Sequence, residues 1–176
     1  MRSSTATRAP IHTRTKGVFL RYAFPMPPPE HPGKTYALTL STALQHRHFQ
    51  KEAHAELFLQ VLSRYRTQGK FFLHGFAIMP DHVHLLITPA ADPVLSKCLQ
   101  LIKGGYAFSA KAMAQTPIWQ TGYYEHRIRD RSDYDNQLRY IANNPPAANL
   151  PPHYLYVHTH PSHASSIDPC PPHLLP

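Results

Sequence analysis

The stretch Lys70-Phe71-Phe72-Leu73-His74-Gly75-Phe76-Ala77-Ile78-Met79-Pro80-Asp81-His82-Val83-His84-Leu85-Leu86-Ile87-Thr88 decides the fold. Two apolar, β-rich runs, Lys70 to Met79 and His82 to Thr88, flank Pro80-Asp81. A two-residue connection makes them neighbours in an antiparallel hairpin. Side chains alternate across a strand, so Val83, Leu85 and Ile87 share one face and His82 and His84 the other. The apolar set predicts the core side, and the two imidazoles are expected on an opposite, open face.

Working outward, Tyr36, Leu38 and Leu40 alternate as in a half-buried strand. From about Phe49 to Gln68, Leu57, Phe58, Val61, Leu62 and Tyr65 recur at three- and four-residue steps, and Gly69 follows as a helix stop. A second helix is predicted over Val94 to Met113, weakened at Gly104-Gly105 by about 1 kcal/mol per glycine. A fourth strand reads from Ile118 to about Arg129. A last helix, with a capping-box-like start at Ser132 and Asp135, carries the stripe Tyr134, Leu138 and Ile141 and is expected to end at Pro145. Strand, helix, strand, strand, helix, strand and one extra helix predict an α+β, ferredoxin-like (split βαβ) fold. In it a four-stranded antiparallel sheet has helices on one face, and the extra C-terminal helix carries Tyr140.

Proline marks the boundaries. Of 19 prolines, six precede residue 33, four lie within residues 33–144 and nine follow. Residues 1–32 read as a basic, Pro-rich arm, with five Lys or Arg and the run Met26-Pro27-Pro28-Pro29. Residues 33–150 read as the domain. Residues 151–176 read as a His/Pro-rich tail without Lys or Arg, expected to be loosely ordered.

The chain has 176 residues, enough for one domain, and 18 Lys and Arg against 10 Asp and Glu give a formal charge of +8. Such a surplus suits an anionic partner, nucleic acid or an anionic membrane surface. No apolar run approaches the roughly 18 residues of a membrane span, and the N-terminus lacks the apolar region of a secretory signal. Two cysteines make neither a disulfide framework nor a four-thiolate zinc site. A soluble, cytoplasmic protein without a membrane partner is expected.

Two imidazoles two residues apart on a strand share a face and can ligate one divalent metal. With 14 histidines, His-x-His is expected about once by chance (roughly 174 × 0.08²) and occurs three times: His46/His48, His82/His84 and His158/His160. Only His82/His84 lies on an alternating strand after a tight turn. Tyr140 and Asn144 stand side by side at i, i+4 on the last helix, and Tyr140 lies about 120° from that helix's stripe. A phenol off the packing stripe is either a surface or interface residue or a nucleophile. As a nucleophile it needs activation, because its pKa near 10 keeps it protonated at neutral pH.

The stretch His74 to Ile87 closely resembles the His-hydrophobic-His (HUH) strand of single-tyrosine transposases. Leu101-Ile102-Lys103-Gly104, Trp119-Gln120, Tyr123-Tyr124-Glu125-His126, Ile128-Arg129-Asp130 and Tyr140-Ile141-Ala142-Asn143-Asn144-Pro145 follow in the same order. The whole, from about Tyr36 to Leu150, is similar to the REP-associated tyrosine transposases; the arm and tail do not match. The resemblance implies that His82 and His84 bind a metal with Asn144 as a polar third ligand. It implies that Tyr140 is the nucleophile, forming a 5′-phosphotyrosine link and releasing a 3′-hydroxyl. It also implies single-stranded or hairpin DNA, such as repetitive extragenic palindromes, as partner.

The chemistry of the residues agrees. Transfer of a phosphodiester to a tyrosine needs an attacking oxygen, a Lewis acid and a held leaving group. Tyr140, Mg²⁺ or Mn²⁺ on His82, His84 and Asn144, and cations such as Lys103 suit these roles. Lys103, Lys111, Arg127, Arg129, Arg131 and Arg139, interleaved with Tyr106, Trp119, Tyr123 and Tyr124, read either as solvated charges or as a DNA-binding track with stacking rings. Two rival readings are a non-catalytic nucleic-acid-binding module on the same fold, and a small zinc protein using His74, His82, His84 and His126. Monomer and homodimer both fit the sequence.

Overall fold

A computed structural model describes residues 33–90, 95–113 and 117–175; the arm expected over residues 1–32 lies outside them. The strands are β1 (Tyr36–Ser41), β2 (Phe71–Ile78), β3 (His82–Pro89) and β4 (Tyr124–Arg127), and the helices α1 (Glu52–Thr67), α2 (Leu95–Ser109) and α3 (Arg131–Ala147). The sheet runs β2-β3-β1-β4, with every neighbouring pair antiparallel. This is the predicted ferredoxin-like order. The hairpin closes at Pro80-Asp81, where the Met79 amide donates to the His82 carbonyl at 2.8 Å.

One sheet face is wholly apolar. Leu38, Leu40, Val83, Leu85 and Ile87 pack against Phe58 and Leu62 of α1 and Leu99, Ile102 and Tyr106 of α2. Each such side chain contributes about 1.5–3 kcal/mol on leaving water. Gly105 sets the α1–α2 approach, since a Cβ there would lie 2.6 Å from the Tyr65 hydroxyl. The glycine that weakens α2 locally is what lets Tyr65 pack against it.

The other face is not open, as the strand pattern alone suggested. Helix α3 lies on it, burying Tyr134 and Ile141 against Ala37, Ala77 and Leu86, with Leu138 packed alongside. The physical reason is in α3 itself, whose apolar stripe has to be covered and finds small residues opposite. At Gly75 an added Cβ would come within 2.7 Å of Leu138 Cδ2.

Three boundaries differ from expectation. β4 is four residues long, because Gly122 turns the chain at φ +78° and only an isolated bridge from Trp119 to Thr42 precedes it. The cap of α3 is Asp130, whose carboxylate accepts from the Asp133 amide at 2.8 Å, rather than Ser132. And α3 runs through Pro145 and Pro146 to Ala147. Prolines are tolerated in this last turn because later amides close it: Ala148 donates to Asn144 and Leu150 to Pro145, each at 3.0 Å. Asn149, left-handed at φ 55°, then ends the helix.

The tail is ordered against the sheet edge, contrary to expectation. Val157 bridges Ala77 of β2, and the Ile78 amide donates to the Tyr156 carbonyl at 2.8 Å. Buried Asp168 takes both Arg66 nitrogens, at 2.8 and 2.6 Å, and the Leu73 amide at 2.7 Å. A chain without an apolar period is fixed here by hydrogen bonds to an edge strand that would otherwise leave backbone groups bare. No helix among the described residues is long and apolar enough to cross a membrane.

Candidate active site

Hairpin register places Ala77, His84, Thr39 and Tyr124 in one row across the four strands, on the face that α3 covers. His84 is 4% exposed, and His82 is half-buried at the hairpin end of β3. Their Nε2 atoms lie 3.1 Å apart. The opposite nitrogens are held from behind: the Asp81 carboxylate accepts from His82 Nδ1 at 2.6 Å, and Thr39 Oγ1 lies 3.1 Å from His84 Nδ1. Such partners fix the orientation of metal-ligating imidazoles and point the far nitrogens at a shared position. Burial and the neighbouring His82 push the His84 pKa down to about 4, against the pull of the Asn144 side chain. The ring is therefore a neutral donor at physiological pH.

These residues fit a divalent cation. The Nε2 atoms of His82 and His84, 3.1 Å apart with the opposite nitrogens held, are close enough for both rings to take one ion. Asn144, on α3 beside His84, adds an amide oxygen. Its Nδ2 donates to the Tyr140 carbonyl at 2.8 Å, and its side chain also hydrogen-bonds His84.

Tyr140 stands over this pair, its ring edge-to-face on His84 with centroids 5.4 Å apart. It is 56% exposed. On α3 the buried stripe Tyr134, Ile141 and Pro145 holds the helix down. Gln137, Tyr140 and Asn144 form a second stripe beside it. Packing and chemistry thus occupy adjacent faces of one helix.

The other histidine motifs do not converge. His48 Nε2 meets the Tyr106 hydroxyl at 2.7 Å, His158 Nδ1 donates to the Phe76 carbonyl at 3.1 Å, and His160 pairs with Ser162 at 2.8 Å. His74, at the β2 bulge, pairs with Thr88 Oγ1 at 2.8 Å, and His126 donates to Asp133 at 2.9 Å. The four-histidine zinc arrangement is therefore absent. Among the described residues no three His, Cys, Asp or Glu side chains gather at one metal position.

The six cations divide between the faces. Lys103 of α2 donates to the Gln120 and Gly122 carbonyls at 3.0 and 2.9 Å, pinning the loop before β4, and burial lowers its pKa. Lys111 is exposed just past α2, in the layer opposite α3. Arg127 is exposed on β4. On the α3 side, Arg129 pairs with Asp133 at 3.3 Å, Arg131 with Asp135 at 2.9 Å, and Arg139 with Asn136. Tyr106 is core, hydrogen-bonded to His48 and His54, and Trp119 packs on Phe49 and Phe58 with its indole donating to the Lys103 carbonyl. Tyr123 and Tyr124 remain exposed.

Sequence reasoning missed Thr39, Asp81 and Gln137. Asp81 was signalled by adjacency to His82. Thr39 required the β1–β3 register, and Gln137 the covering of the sheet by α3.

Known proteins resemble this chain in sequence and in fold. The model of the family described as "Transposase IS200 like" matches residues 33–144. The chain is 26% identical over 91 residues to the REP-associated tyrosine transposase of Escherichia coli K12, covering 51% of this chain and 53% of that one. It is 30% identical over 88 residues to a putative REP-associated tyrosine transposase of Haemophilus influenzae, covering 40% and 47%. The chain thus spans about half the length of these relatives. Among solved structures, a REP-associated tyrosine transposase bound to a REP hairpin superposes with TM-score 0.64 at 20% identity, over 79% of this chain and 84% of that one. A putative transposase from Deinococcus radiodurans R1 gives 0.50 at 25%, over 67% and 96%. Because the family match runs from the start of β1 through the paired imidazoles to Tyr140 and Asn144, the chain belongs to the IS200-like transposase family.

Proposed function

We propose that this chain cuts and rejoins single-stranded DNA beside a hairpin, with Tyr140 as nucleophile and a Mg²⁺ or Mn²⁺ ion held by His82, His84 and Asn144. The observation that carries this reading is the phenol ring of Tyr140 set edge-to-face against His84, beside two imidazoles whose Nε2 atoms converge at 3.1 Å. The ion supplies Lewis-acid polarisation of the phosphate. Tyr140 Oη attacks phosphorus, the phosphorus–O3′ bond breaks, and a 5′-phosphotyrosine and a free 3′-hydroxyl result. The phenolic proton leaves to solvent and O3′ takes one up; because one phosphodiester replaces another, the same hydroxyl can reverse the cut. Asp81 and Thr39 hold the imidazoles in position. Arg139, next to Tyr140 on α3, and Arg129 and Arg131 at the start of that helix suit the DNA backbone: all three are exposed, and the surface ion pair of Arg131 contributes only about 0–1 kcal/mol and yields readily to phosphate.

A hairpin partner is favoured by the likeness to a relative solved on a REP hairpin. A purely binding module would leave the convergent imidazoles and their orienting partners without a task. Cytoplasmic placement follows from DNA as substrate. In the test, the full chain is incubated with Mn²⁺ and a DNA hairpin carrying single-stranded flanks, beside Tyr140→Phe. Nicking by the unaltered chain and none by the variant, with hairpin binding retained in both, is the expected result. Equal nicking by the variant would remove Tyr140 from the reaction.

A further inference from the structure

We propose that the cleft between β4 and α3 is a pocket for one unpaired nucleobase, the base flanking the phosphate that Tyr140 attacks. The inference rests on Tyr140 as nucleophile and adds what lies beside it. The cleft has a volume of about 280 Å³ and is lined by Thr39, His84, Tyr124, Gln137, Tyr140 and Ile141 among others.

Three features select a base. The row His84, Thr39, Tyr124 crosses three adjacent strands, so Tyr124 stands two strand spacings, about 10 Å, from His84. A nucleotide whose phosphate lies at the imidazoles reaches Tyr124 with its base. Next, Tyr124 is 66% exposed although it sits in the sheet, and an exposed aromatic ring on a cleft wall is a stacking platform for any base. Last, the Gln137 amide, one turn before Tyr140, offers a donor and an acceptor side by side, the pattern that pairs with a base edge. Among the described residues neither that amide, the Tyr124 hydroxyl nor the Tyr140 hydroxyl has a side-chain hydrogen bond. Polar groups left unused around a concave, partly apolar space are what a small-ligand site requires.

The volume accommodates one ring system. A base that enters the cleft has to leave its pairing partner, so the proposal calls for an unpaired nucleotide at the cut.

The test uses the full-length chain carrying Tyr140→Phe and hairpin DNA with 2-aminopurine at each flank position in turn. Quenching confined to one position, removed there by Tyr124→Ala and by Gln137→Glu, is the expected result. The glutamate is nearly isosteric, so its effect does not depend on refolding. In the unaltered chain with Mn²⁺, an abasic nucleotide at that position should slow nicking about tenfold, the loss expected of one stacked base. Uniform fluorescence along the flanks, or quenching that survives both substitutions, overturns the pocket. The two readings fail separately. Nicking with uniform fluorescence sinks the pocket and keeps the reaction. Position-specific quenching without any nicking by the unaltered chain sinks the reaction and keeps the pocket.

Discussion

The two faces of the sheet are built to different rules. On the α1/α2 face every inward side chain of β3 is aliphatic, and Val83, Leu85 and Ile87 are wholly buried. On the α3 face the same strand contributes His82, His84 and Leu86, and the row through His84 continues to Thr39 and Tyr124. Burying a histidine is costly unless its nitrogens are satisfied. His84 is satisfied by Thr39, His82 and the Asn144 side chain, and His74 by Thr88 and the backbone of Asp168 and Pro169. One face provides stability; the other gives up part of it to hold rings where chemistry can use them.

That contrast breaks first in stability. Phe58→Ala on the α1/α2 face should cost about 3–5 kcal/mol in urea denaturation. Tyr140→Phe on the other face should cost less than about 0.5. Comparable losses would erase the distinction.

Acid should find the α3 face next. Burial pushes the pKa values of His74 and His84 down to about 4 from 6.5. Between those values the unfolded chain binds more protons than the folded one, so stability falls as pH drops through this window and is unaffected above it. At pH 5 the loss from the two rings together should be on the order of 4 kcal/mol relative to pH 7.5. His74→Asn should flatten the dependence, as read from denaturation midpoints at the two pH values. A pH profile unchanged by that substitution would mean that His74 does not resist protonation.

A smaller effect is expected behind the metal position. Asp81→Ala should weaken Mn²⁺ binding about 10- to 100-fold in calorimetry with little change in folding, because His82 loses the carboxylate that orients it. Unchanged affinity would show that the 2.6 Å contact is incidental. Smallest of all, each of Arg129→Gln, Arg131→Gln and Arg139→Gln should reduce the slope of log K against log salt for single-stranded DNA by about 0.7. The same change at Lys103 should move the slope less, since its ammonium is held by the Gln120 and Gly122 carbonyls.

The sequence made the hairpin, the strand order and the pairing of His82 with His84 legible, because all three follow from local alternation and a two-residue turn. It also set Tyr140 apart from the stripe of α3. It did not show that α3 lies over the histidines. That took the stripe of Tyr134, Leu138 and Ile141 being matched to the small residues Ala37, Gly75 and Ala77, a complementarity between distant segments with no local period. The tail was illegible for the same reason: Asp168 and Arg66 are 102 residues apart, and their ion pair has no signature in either segment. β4 was overestimated because apolar and aromatic residues around Trp119 look like strand, whereas Trp119 serves the core.

The proposed reaction depends on the α3 face holding Tyr140 where it can take a phosphate over His82 and His84. It is tested most directly by incubating the chain with Mn²⁺ and a hairpin DNA labelled at either end, denaturing, and mapping any covalent adduct by peptide mass spectrometry. One adduct is expected, on Tyr140, retaining the DNA 3′ of the cut through its 5′-phosphate and absent from His84→Ala. An adduct on another residue, or cut DNA with no protein attached at any time point, would contradict it.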